Sequence, residues 1–590
     1  MPRNRRTGLT RLLPYAADKR LRLGVVAALA AVSAAAPVVG WHLVGEAIDG
    51  GIRGGDEGYL VLVVLAYVGV NAAAWALGTA TWLGLAAIGQ RVVLELRRDL
   101  FHHLTSLSLR YFSQQKAGWI ISRLTSDVDA LSDVLNQGLT TLVVNTLTFV
   151  AAIAGLFLLD WRLGLVALCV VPPGVLVTRW FQQRSHVAAA EVRTRIAIVT
   201  AQLAESVSGM AVIQAFSRER AFQAEFDRLN QENRRANVTV QRIYSLFFPA
   251  VELLGVVATV AVLLAGAHFV GAGTMQIGTV VAAVGLLALV FQPLQELSEL
   301  YGQVQAANAA MDKISSVLDA EADLADAPGA RPLPRIEGRL ELDRVTFAYG
   351  RDPVLRDVAI DVPVGGCIAL VGESGGGKST TAKLIARFYD PTEGAVRVDG
   401  TDLREVELRS YRRQLGVVLQ DPFLFSGTIA DNIRFAKPDA TDEEVAAAAA
   451  AVGVDRVAAR LEGGLDHVVR EGGAGLSAGE RQLISIARAL LADPRILILD
   501  EATSNIDRPT EVLIERAFDR LLAGRTSIII AHRLATVRRA DEILVLEHGR
   551  VVQRGSERAL LAEDGPFRRL ADGLRGDELV PVAAEASAAA

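Results

Sequence analysis

The stretch Gly372-Glu373-Ser374-Gly375-Gly376-Gly377-Lys378-Ser379 decides the fold of the second half of this chain. It fits the pattern G-x-x-x-x-G-K-[ST], with the apolar run Cys367–Val371 before it and a helical run after it. Glycines let backbone N–H groups converge on phosphate oxygens, and the N-terminus of the following helix adds positive potential. We therefore predict a phosphate-binding loop in which Lys378 reaches the β- and γ-phosphates of ATP and Ser379 ligates Mg²⁺. The residues predicted to contact the nucleotide here are Gly372, Glu373, Ser374, Gly375, Gly376, Gly377, Lys378, Ser379 and Thr380.

A second apolar stretch, Ile496-Leu497-Ile498-Leu499, ends in two adjacent acids, Asp500 and Glu501. A strand that delivers a carboxylate beside a phosphate loop is the arrangement expected for Mg²⁺, with Asp500 on the metal. Glu501 is then placed to polarise the attacking water. Adjacent acids at a strand end are otherwise typical of a solvated turn, but the phosphate loop favours the metal site. Phosphoryl transfer depends mainly on positioning and charge neutralisation, so these few groups suffice for ATP hydrolysis.

The soluble half has the pattern of an α/β domain. Apolar strand-like runs, among them 527–530, alternate with helical patterns, which predicts a largely parallel sheet. Residues 319–338 are rich in Asp, Ala and Pro and have no helical or strand period, so we predict a linker there. We place the soluble domain at residues 339–572 and expect the small, acidic tail, 573–590, to be disordered.

The first half, residues 1–318, contains the long apolar runs of a membrane domain. About 20 mostly apolar residues are needed to cross the core of a bilayer. Six stretches meet this requirement, so we predict an α-helical bundle of six transmembrane helices. The predicted spans are 22–47, 59–84, 138–159, 163–183, 246–270 and 277–299.

The distribution of Lys and Arg predicts the orientation of this bundle. The first 22 residues contain seven of them, the connection between spans 2 and 3 contains six, and the stretch from Arg179 to Arg242, which includes the connection between spans 4 and 5, contains ten. The three short loops together contain only two, Arg53 and Arg162. We therefore predict that both termini, both long connections and the soluble domain are cytoplasmic, with the bundle in the plasma (inner) membrane.

Four polar residues fall at membrane depth in this prediction, namely His42, Asn71, Asn145 and Glu252. An ionisable group inside the bilayer is costly and is therefore a candidate functional residue. A hydrogen bond inside the bundle, or a position near the interface, explains such residues without any function. Both interpretations stay open, and none of the four is assigned to a substrate.

Net charge and cysteine content argue against several functions. The formal net charge is −5 and no basic stripe with interleaved aromatic residues occurs, which argues against a nucleic-acid partner. The two cysteines, Cys169 and Cys367, lie in different halves, so we expect neither a disulfide framework nor a cysteine-based metal site. The basic N-terminus is not followed by a short apolar region with a cleavage site, so we expect no cleaved signal peptide.

With these motifs in place, the chain resembles an ATP-binding-cassette (ABC) half-transporter of the exporter type over about residues 15–570. The most specific marker is Leu476-Ser477-Ala478-Gly479-Glu480-Arg481-Gln482, which is similar to the family's signature motif, usually LSGGQ. P-loop proteins in general lack this motif. The resemblance implies an α/β P-loop ATPase domain of the ABC type, with a helical subdomain. It also implies that Ser477 and Gly479 contact the γ-phosphate of ATP held by another subunit, so that one chain cannot complete its own site.

Five further positions match the family's motifs residue by residue. Tyr349 resembles the aromatic residue that stacks on adenine, and Gln420 resembles the glutamine that ligates Mg²⁺ and senses the nucleotide. His532 resembles the switch histidine that contacts the γ-phosphate. Asp507 resembles the loop acid that crosses the dimer interface, and Glu471 resembles the acid that meets the cytoplasmic tips of the membrane helices. The catalytic residues implied are Glu501, His532 and Gln420. The Mg²⁺ ligands implied are Ser379, Gln420 and Asp500.

Two segments, 111–131 and 203–216, resemble the coupling regions that carry movement between nucleotide domain and membrane bundle. The chain also departs from the family pattern, with Ala478 and Glu480 in the signature and with SNID after Glu501, where SALD is commoner. Similar departures occur in the catalytic subunit of heterodimeric exporters. We therefore expect a second half-transporter as partner. A heterodimer is favoured, and a homodimer stays open as the alternative.

The function implied is ATP-driven export of an amphipathic small molecule, lipid or peptide by a dimer that binds ATP and Mg²⁺. Membrane lipid and an unidentified substrate are the other expected partners. A lipid flippase is an alternative that nothing in the spans separates from this function. A non-pumping ATP-gated channel or regulator is a further alternative, although the intact Glu501 argues against it. A nutrient importer is disfavoured because such importers typically keep membrane and ATPase parts on separate chains.

Overall fold

The computed structural model describes residues 8–17, 19–500, 508–531 and 533–578. These residues form two compact units. The first unit contains the described parts of 1–106 and 115–320, and the second contains 107–114 together with the described chain from 321 onward.

Long helices form the first unit. The helices of the first 318 residues are α1 Leu13–Ala17, α2 Arg20–Glu46, α3 Glu57–Ser106, α4 Leu109–Gln114, α5 Ala117–Leu124, α6 Ser126–Asp133, α7 Leu139–Leu159, α8 Trp161–Leu168, α9 Val171–Ser208, α10 Met210–Ala215, α11 Glu219–Gly271 and α12 Ile277–Leu318. Six helical segments of the described chain are long and apolar enough to cross a membrane: Arg20–Ile52, Glu57–Ser106, Ala117–Leu159, Trp161–Ser208, Glu219–Gly271 and Ile277–Leu318. They contain the six predicted spans, so the prediction of a six-helix bundle is confirmed.

Several of these helices are much longer than a bilayer requires. A helix of 50 residues, such as α3, is about 75 Å long, whereas the hydrocarbon core is about 30 Å thick. The long connections of the sequence are therefore helical continuations of the spans. Pro37, Pro249 and Pro293 lie inside α2, α11 and α12 without ending them. Pro172 lies in the first turn of α9, where its missing N–H is not needed.

Aromatic packing and polar pairs hold the interior of the first unit together. Phe181 of α9 stacks on Phe247 of α11, with ring centroids 4.0 Å apart and both residues buried. Asn145 of α7 donates from Nδ2 to Glu296 Oε2 of α12 at 2.7 Å. A buried polar group is tolerated when it is hydrogen-bonded in this way. Asn145 therefore makes an interior hydrogen bond, and Asn71 donates to a carbonyl oxygen of its own helix.

Three sheets and ten helices follow in the described part of the second unit. Its strands are β1 Leu340–Ala348, β2 Pro353–Val362, β3 Cys367–Val371, β4 Glu393–Val398, β5 Thr401–Asp402, β6 Leu415–Val418, β7 Gly427–Thr428, β8 Val468–Val469, β9 Ile496–Asp500, β10 Thr526–Ile530, β11 Glu542–Glu547 and β12 Arg550–Gly555. Its further helices are α13 Lys378–Ile385, α14 Leu408–Arg412, α15 Ile429–Arg434, α16 Asp442–Val452, α17 Val454–Ala458, α18 Ala478–Leu491, α19 Arg508–Leu522, α20 Leu534–Val537, α21 Glu557–Ala562 and α22 Pro566–Glu578. Helices α15 to α18 pack on one another and form the predicted helical subdomain.

The six-stranded sheet, in the order β12-β11-β3-β10-β9-β6, positions the candidate site. All its strands except β12 at the edge run parallel. Ile530 of β10 pairs with both Leu370 of β3 and Asp500 of β9, and Val418 of β6 pairs with Leu499. This register brings the carboxyl ends of β3, β9 and β6 to one edge. The predicted parallel sheet is confirmed, whereas the antiparallel sheet β2-β1-β4-β5 was not predicted.

The predicted linker contacts the soluble domain, and the last described helix extends beyond the predicted end of that domain. In the predicted linker, the Leu333 N–H donates to Ser410 Oγ at 2.8 Å, and Ile336 is buried. Hydrogen bonds of this kind satisfy the backbone of an irregular segment that has no ladder of its own. At the other end, α22 continues to Glu578, past the predicted start of the disordered tail, and 579–590 lie outside the described residues.

Candidate nucleotide site at the carboxyl edge of the parallel sheet

The glycine loop joins β3 to α13. Gly372 and Gly377 have φ values of 145° and 105°, which residues with side chains rarely adopt. Space gives a second reason for glycine: a Cβ at Gly372 would collide with the carbonyl oxygen of Leu546, and one at Gly377 would lie 2.5 Å from Leu355 Cδ2. The loop therefore closes tightly onto the N-terminus of α13, where free N–H groups and positive potential favour a phosphate.

Lys378 is held inside this loop. Its Nζ donates to the carbonyl oxygens of Gly372 at 2.7 Å and of Glu373 at 3.0 Å, and the residue is only 6% exposed. Burial lowers the pKa of Lys378, and the Asp500 carboxylate opposes this shift. An ammonium group that rests on two carbonyl oxygens can exchange them for phosphate oxygens, so the arrangement fits a nucleotide.

Hard oxygen donors suited to Mg²⁺ lie near the same loop. Asp500 ends β9, and its charge acts on Lys378. Ser379 lies in the first turn of α13 and is exposed, whereas Thr380 is buried. A hydroxyl and a carboxylate are the ligand types that Mg²⁺ takes when it is bound with phosphates. Glu501, the next residue after Asp500, lies outside the described residues.

An aromatic cluster borders the helix that carries the loop. Tyr349 Oη lies 3.3 Å from Thr380 Oγ1. The Tyr349 ring meets Phe347 and Tyr389 edge-on, with centroid distances of 4.9 and 5.1 Å. Tyr349 is 36% exposed, so one side of the ring keeps a surface on which a base can stack. Sequence reasoning identified Tyr349 but missed its neighbour Tyr389.

Gln420 lies on an exposed turn two residues after the end of β6. The loop downstream of it is tied to α18 by Arg488, which donates from Nη1 to Phe423 O at 3.2 Å and from Nε to Asn432 O at 2.8 Å. Asn432 in turn donates to Phe425 O at 2.9 Å. Burial lowers the pKa of Arg488. The sequence analysis missed Asn432 and Arg488, because their contacts with this loop join residues far apart in the chain.

Ser477 caps the N-terminus of α18. Its Oγ accepts from the Glu480 N–H at 3.2 Å, and its own N–H donates to Glu480 Oε2 at 2.8 Å, which forms a capping box. Glu480 Oε1 also accepts from Arg460 Nη2 at 2.9 Å. A capping box takes Glu or Gln at this position, so Glu480 keeps Ser477 oriented. Ser477 and Ala478 are exposed and Gly479 is buried.

The start of the signature motif, residues 476–480, has no polar contact with the phosphate loop of its own chain among the described residues. Among the described residues, no hydrogen bond or ion pair joins 476–480 to 372–380. His532 and Asp507 lie outside the described residues. Arg533 forms an ion pair with Glu511 of α19. Glu471 is exposed, in a short turn directly after β8.

A short helix of the first long connection groups with the soluble domain. This helix, α4, belongs to the second compact unit. The guanidinium carbon of Arg110 lies 5.8 Å from the ring centroid of Tyr389, the residue that contacts Tyr349. Sequence reasoning missed Arg110. The predicted first coupling region, 111–131, therefore begins in a helix that reaches the aromatic cluster.

The reactivity of the Cys367 thiol measures how well the central sheet is buried. The Cys367 N–H donates to Asp541 Oδ2 at 2.8 Å, and burial, with a smaller contribution from Asp541, raises the pKa of Cys367 to about 12. The thiolate is the reactive form, so we expect native Cys367 to react with iodoacetamide at pH 7 at least about a hundredfold more slowly than the unfolded chain does. Mass spectrometry of a Cys169→Ser variant, labelled with and without denaturant, measures this ratio. Equal rates in the two conditions would contradict the burial.

Comparisons with known proteins agree with this architecture. Residues 23–294 match the family model described as the ABC transporter transmembrane region, and residues 355–504 match the model described as ABC transporter. An uncharacterized ABC transporter ATP-binding protein of Bacillus subtilis, YknV, is 37% identical over 524 residues, which cover 89% of this chain and 87% of that protein.

Two further relatives carry more specific names. The ATP-dependent lipid A-core flippase of Syntrophus aciditrophicus is 36% identical over 486 residues, or 82% of this chain and 81% of that protein. A multidrug efflux ATP-binding/permease protein of Mycobacterium tuberculosis is 38% identical over 545 residues, or 92% of this chain and 45% of that protein. The chain therefore spans about half the length of this last relative.

A bundle of six long apolar helices followed in one chain by a P-loop ATPase domain defines a half-transporter of the exporter class. The chain belongs to the ABC transporter family. It is a multi-pass membrane protein that binds ATP, and its ATPase activity drives export across the membrane. Exporters of this family work as dimers of half-transporters.

Proposed function

We propose that ATP and Mg²⁺ bind at the carboxyl edge of the six-stranded sheet. The observation that carries the proposal is the placement of Lys378, whose buried ammonium rests on loop carbonyl oxygens beside the strand that ends in Asp500. The ammonium and the loop N–H groups bind the phosphates, and Tyr349 stacks on the adenine. Ser379, Asp500 and Gln420 hold Mg²⁺, which neutralises phosphate charge when it is bound.

Hydrolysis is assigned to three residues. Glu501 is assigned to polarise the attacking water, because it directly follows Asp500, the last residue of β9. His532 follows β10, the strand between β3 and β9, and contacts the γ-phosphate. Gln420 reports the state of the nucleotide through its loop, because Arg488 ties that loop to the helix of the signature motif.

A second subunit completes each site. Ser477 is exposed at the N-terminus of α18, and its Oγ accepts the cap hydrogen bond while its O–H group stays available as a donor. Among the described residues it has no polar contact with the phosphate loop of its own chain. Ser477 and Gly479 therefore contact the γ-phosphate of ATP that is bound to the partner, and Asp507 crosses the same interface. Closure of the dimer on two nucleotides drives the membrane bundle from inward- to outward-facing, and hydrolysis resets it.

A Ser477→Ala variant separates the proposed contact with the partner's γ-phosphate from the capping of α18. The lost cap lowers the stability of the domain by about 0.5–2 kcal/mol. The lost hydroxyl removes a donor to the transferred phosphate, so we expect the ATPase rate of the assembled transporter to fall by at least about tenfold. Phosphate release and thermal unfolding, measured on the same preparation, give the two effects.

The matched control is Thr441→Ala. Thr441 caps α16 through the same type of capping box, with Glu444 as its partner. This variant loses a cap of the same kind outside the proposed site, so it should unfold at a lower temperature yet hydrolyse ATP at nearly the wild-type rate. If both variants lose ATPase activity to the same extent, Ser477 acts only on stability.

The partner is proposed to be a different half-transporter. Ala478 in the signature and the SNID sequence after Glu501 favour this heterodimer. Glu480 favours neither assembly, because it maintains the Ser477 cap as a glutamine would. A homodimer is therefore the second candidate. Expression of the chain alone and with candidate partner chains tests this: full ATPase activity of a purified homodimer would exclude the need for a second chain.

The soluble domain and both termini are proposed to face the cytoplasm, with the bundle in the plasma membrane. The support is the asymmetry of Lys and Arg, with ten from Arg179 to Arg242 and two in the three short loops together. Cysteine substitutions at exposed positions of these segments, labelled from either side with an impermeant reagent, test the orientation. Labelling of the 4–5 connection from outside intact cells would contradict it.

The substrate is proposed to be an amphipathic small molecule, a lipid or a peptide. Relatives are named for multidrug efflux and for lipid A-core flipping, which supports a substrate of this kind and keeps the lipid flippase as an alternative. Purified transporter in proteoliposomes tests the proposal. ATP-dependent accumulation of a fluorescent amphipath supports an exporter, and leaflet exchange of a labelled lipid supports a flippase. ATP-dependent dissipation of a preset gradient, without uphill movement, supports a channel instead.

A further inference from the structure

An apolar cavity of about 420 Å³ lies between the N-terminal segment, residues 8–17, and the long helices of the first unit. Its lining residues are all Leu, Val, Ile or Gly. The segment and three of the helices contribute to the wall, through Leu12, Val92 of α3, Leu139 of α7 and Val304 of α12. A cavity without polar groups does not hold ordered water and takes up apolar groups instead.

Hydrogen bonds fix the N-terminal segment to two different helices on either side of this cavity. The Leu9 N–H donates to Asn308 Oδ1 of α12 at 3.0 Å, and Tyr15 Oη donates to Asp99 Oδ2 of α3 at 2.9 Å. Leu12, between these two contacts in the chain, is buried. Because the segment is tied to both helices, it covers the cavity without filling it.

The cavity lies at one border of the predicted membrane spans. Leu23 is at the start of the first span and Leu139 is at the start of the third. Ile88 and Leu300 come shortly after the ends of the second and the sixth spans. These four span ends share the side that is proposed to be cytoplasmic. The cavity therefore lies where the hydrocarbon of that leaflet meets its headgroups.

Exposed leucines connect the cavity with the outer surface of the helices. Leu13 and Leu142 both line the cavity, yet they are 57% and 49% exposed. Leu21, at the start of α2, is exposed as well. Exposed apolar side chains that adjoin one another mark a surface for contact with a membrane or a protein. At the end of membrane-spanning helices this surface is continuous with the one that faces lipid, so an acyl chain can enter the cavity from the bilayer.

A basic side chain without a protein partner adjoins the same cavity. Arg20 precedes Leu23 by one turn of α2, which places the two residues on one face of the helix. Arg20 and Arg22 are exposed, and within the described part of the chain neither forms an ion pair. Lys19, by contrast, is buried and pairs with Glu95 at 3.0 Å. Basic residues directly outside a span attract the anionic lipids of the cytoplasmic leaflet.

We propose that this cavity binds one acyl chain of an anionic phospholipid, with the phosphate of the headgroup at Arg20. The chain fills an apolar space that would otherwise stay empty, and protein interiors leave few spaces of this size unfilled. The bound lipid contacts the N-terminal segment, α3 and α12 together. It is a resident lipid rather than a transported substrate, so the proposal goes beyond the transport function proposed above.

A phosphatidylglycerol with a photoreactive diazirine on one acyl chain tests the site. The full-length protein with its partner is placed in phosphatidylcholine nanodiscs that contain an increasing fraction of this probe, and mass spectrometry locates the cross-linked peptides after irradiation. We expect saturable labelling of the peptides that line the cavity. Leu139→Trp, which places a larger ring in the cavity, should reduce this labelling by at least about tenfold.

The charge of the headgroup is tested by comparison with a phosphatidylcholine that carries the same photoreactive chain. Arg20→Gln should lower the labelling by the anionic probe about fivefold relative to the labelling by this second probe. Equal labelling by the two probes in the wild-type protein would contradict the role of Arg20. Both leaflets of a nanodisc contain the probe, so the result does not depend on the proposed orientation.

Two substitutions on α9 are the matched controls. Leu176→Trp adds the same ring at an exposed leucine of the fourth predicted span, and Arg179→Gln removes an exposed arginine of that span. Both should leave the labelling of the cavity peptides unchanged. If Leu139→Trp does not assemble, Val304→Phe fills the cavity from α12 and should have the same effect.

Two results would overturn the proposal. Labelling that is spread evenly over the spans and is insensitive to the cavity variants would show ordinary contact with bulk lipid. Unlabelled cavity peptides, as expected if the partner subunit covers the cavity, would exclude a lipid there. Failure of the proposed transport function is distinguishable from both results, because the cross-linking requires neither ATP hydrolysis nor substrate.

Discussion

Glu501→Gln is expected to lower the ATPase rate of the assembled transporter by about 10²–10⁴-fold, the usual contribution of a general base. Glutamine keeps the size of the side chain but removes the negative charge that is proposed to polarise the attacking water. The groups proposed to bind ATP, among them Lys378 and Tyr349, are unchanged, so nucleotide affinity should stay near that of the wild type. Phosphate release measures the rate, and titration with a fluorescent ATP analogue measures the affinity.

The matched control for this experiment is Glu547→Gln. Glu547 ends β11, another parallel strand of the same sheet, so the variant makes the same chemical change at the same edge. It should keep most of the wild-type ATPase rate. Near-wild-type turnover of Glu501→Gln, measured together with the true partner, would refute the assignment of Glu501. Loss of ATP binding in that variant would mean that Glu501 supports the fold of the site rather than the chemical step.

Local patterns made the fold and much of the site predictable from the sequence. The phosphate loop was predictable because its glycines lie close together in the sequence. Glycine is required where the backbone passes close to other groups, as Gly372 does at the Leu546 carbonyl oxygen. Asp500 was predictable because an apolar strand of a parallel sheet directs its carboxyl end to the binding edge. The six spans were predictable because a bilayer demands long apolar helices whatever their packing.

Contacts between residues far apart in the chain were not predictable in the same way. The link from Arg488 to Phe423 O joins a helix and a loop 65 residues apart. Arg110 lies near Tyr389 because α4 belongs to the second compact unit. Glu480 was interpreted as a departure from the family pattern, whereas the structure gives it a local role in the Ser477 cap. The replacement of the usual glutamine by Glu480 did not by itself show that the hydrogen bond to the Ser477 N–H is kept.

In the membrane half, too, the sequence indicated where polar residues lie but not what they contact. The sequence identified Asn145 and Glu252 as polar residues at membrane depth, but it could not separate their roles. The structure pairs Asn145 with Glu296, an acid on a helix that follows more than 100 residues later. Glu252 instead lines a cavity without such a partner among the described residues. Only the three-dimensional packing of α7, α11 and α12 distinguishes these two environments.

Lys378→Ala is expected to weaken ATP binding itself. The Lys378 ammonium lies within hydrogen-bond distance of Gly372 O and Glu373 O, so it holds the loop at the proposed phosphate site. A hydrogen bond to a charged group contributes about 1.5–3 kcal/mol, which corresponds to a Kd roughly 10- to 100-fold higher. Titration with a fluorescent ATP analogue measures the change. Lys437→Ala, which removes an exposed lysine paired with Glu444, is the control and should leave the Kd unchanged.

The pH dependence of ATP binding separates this charge effect from a damaged loop. Burial lowers the pKa of Lys378, so in the free protein its ammonium loses its proton at a lower pH than an ordinary lysine does. The wild-type affinity should therefore decline as the pH rises through the pKa of Lys378, and this decline should begin below the usual lysine range. Lys378→Ala lacks the group that titrates, so its weaker affinity should not show this decline. An unchanged Kd in the variant, or the same alkaline decline in both proteins, would show that Lys378 does not hold the phosphates.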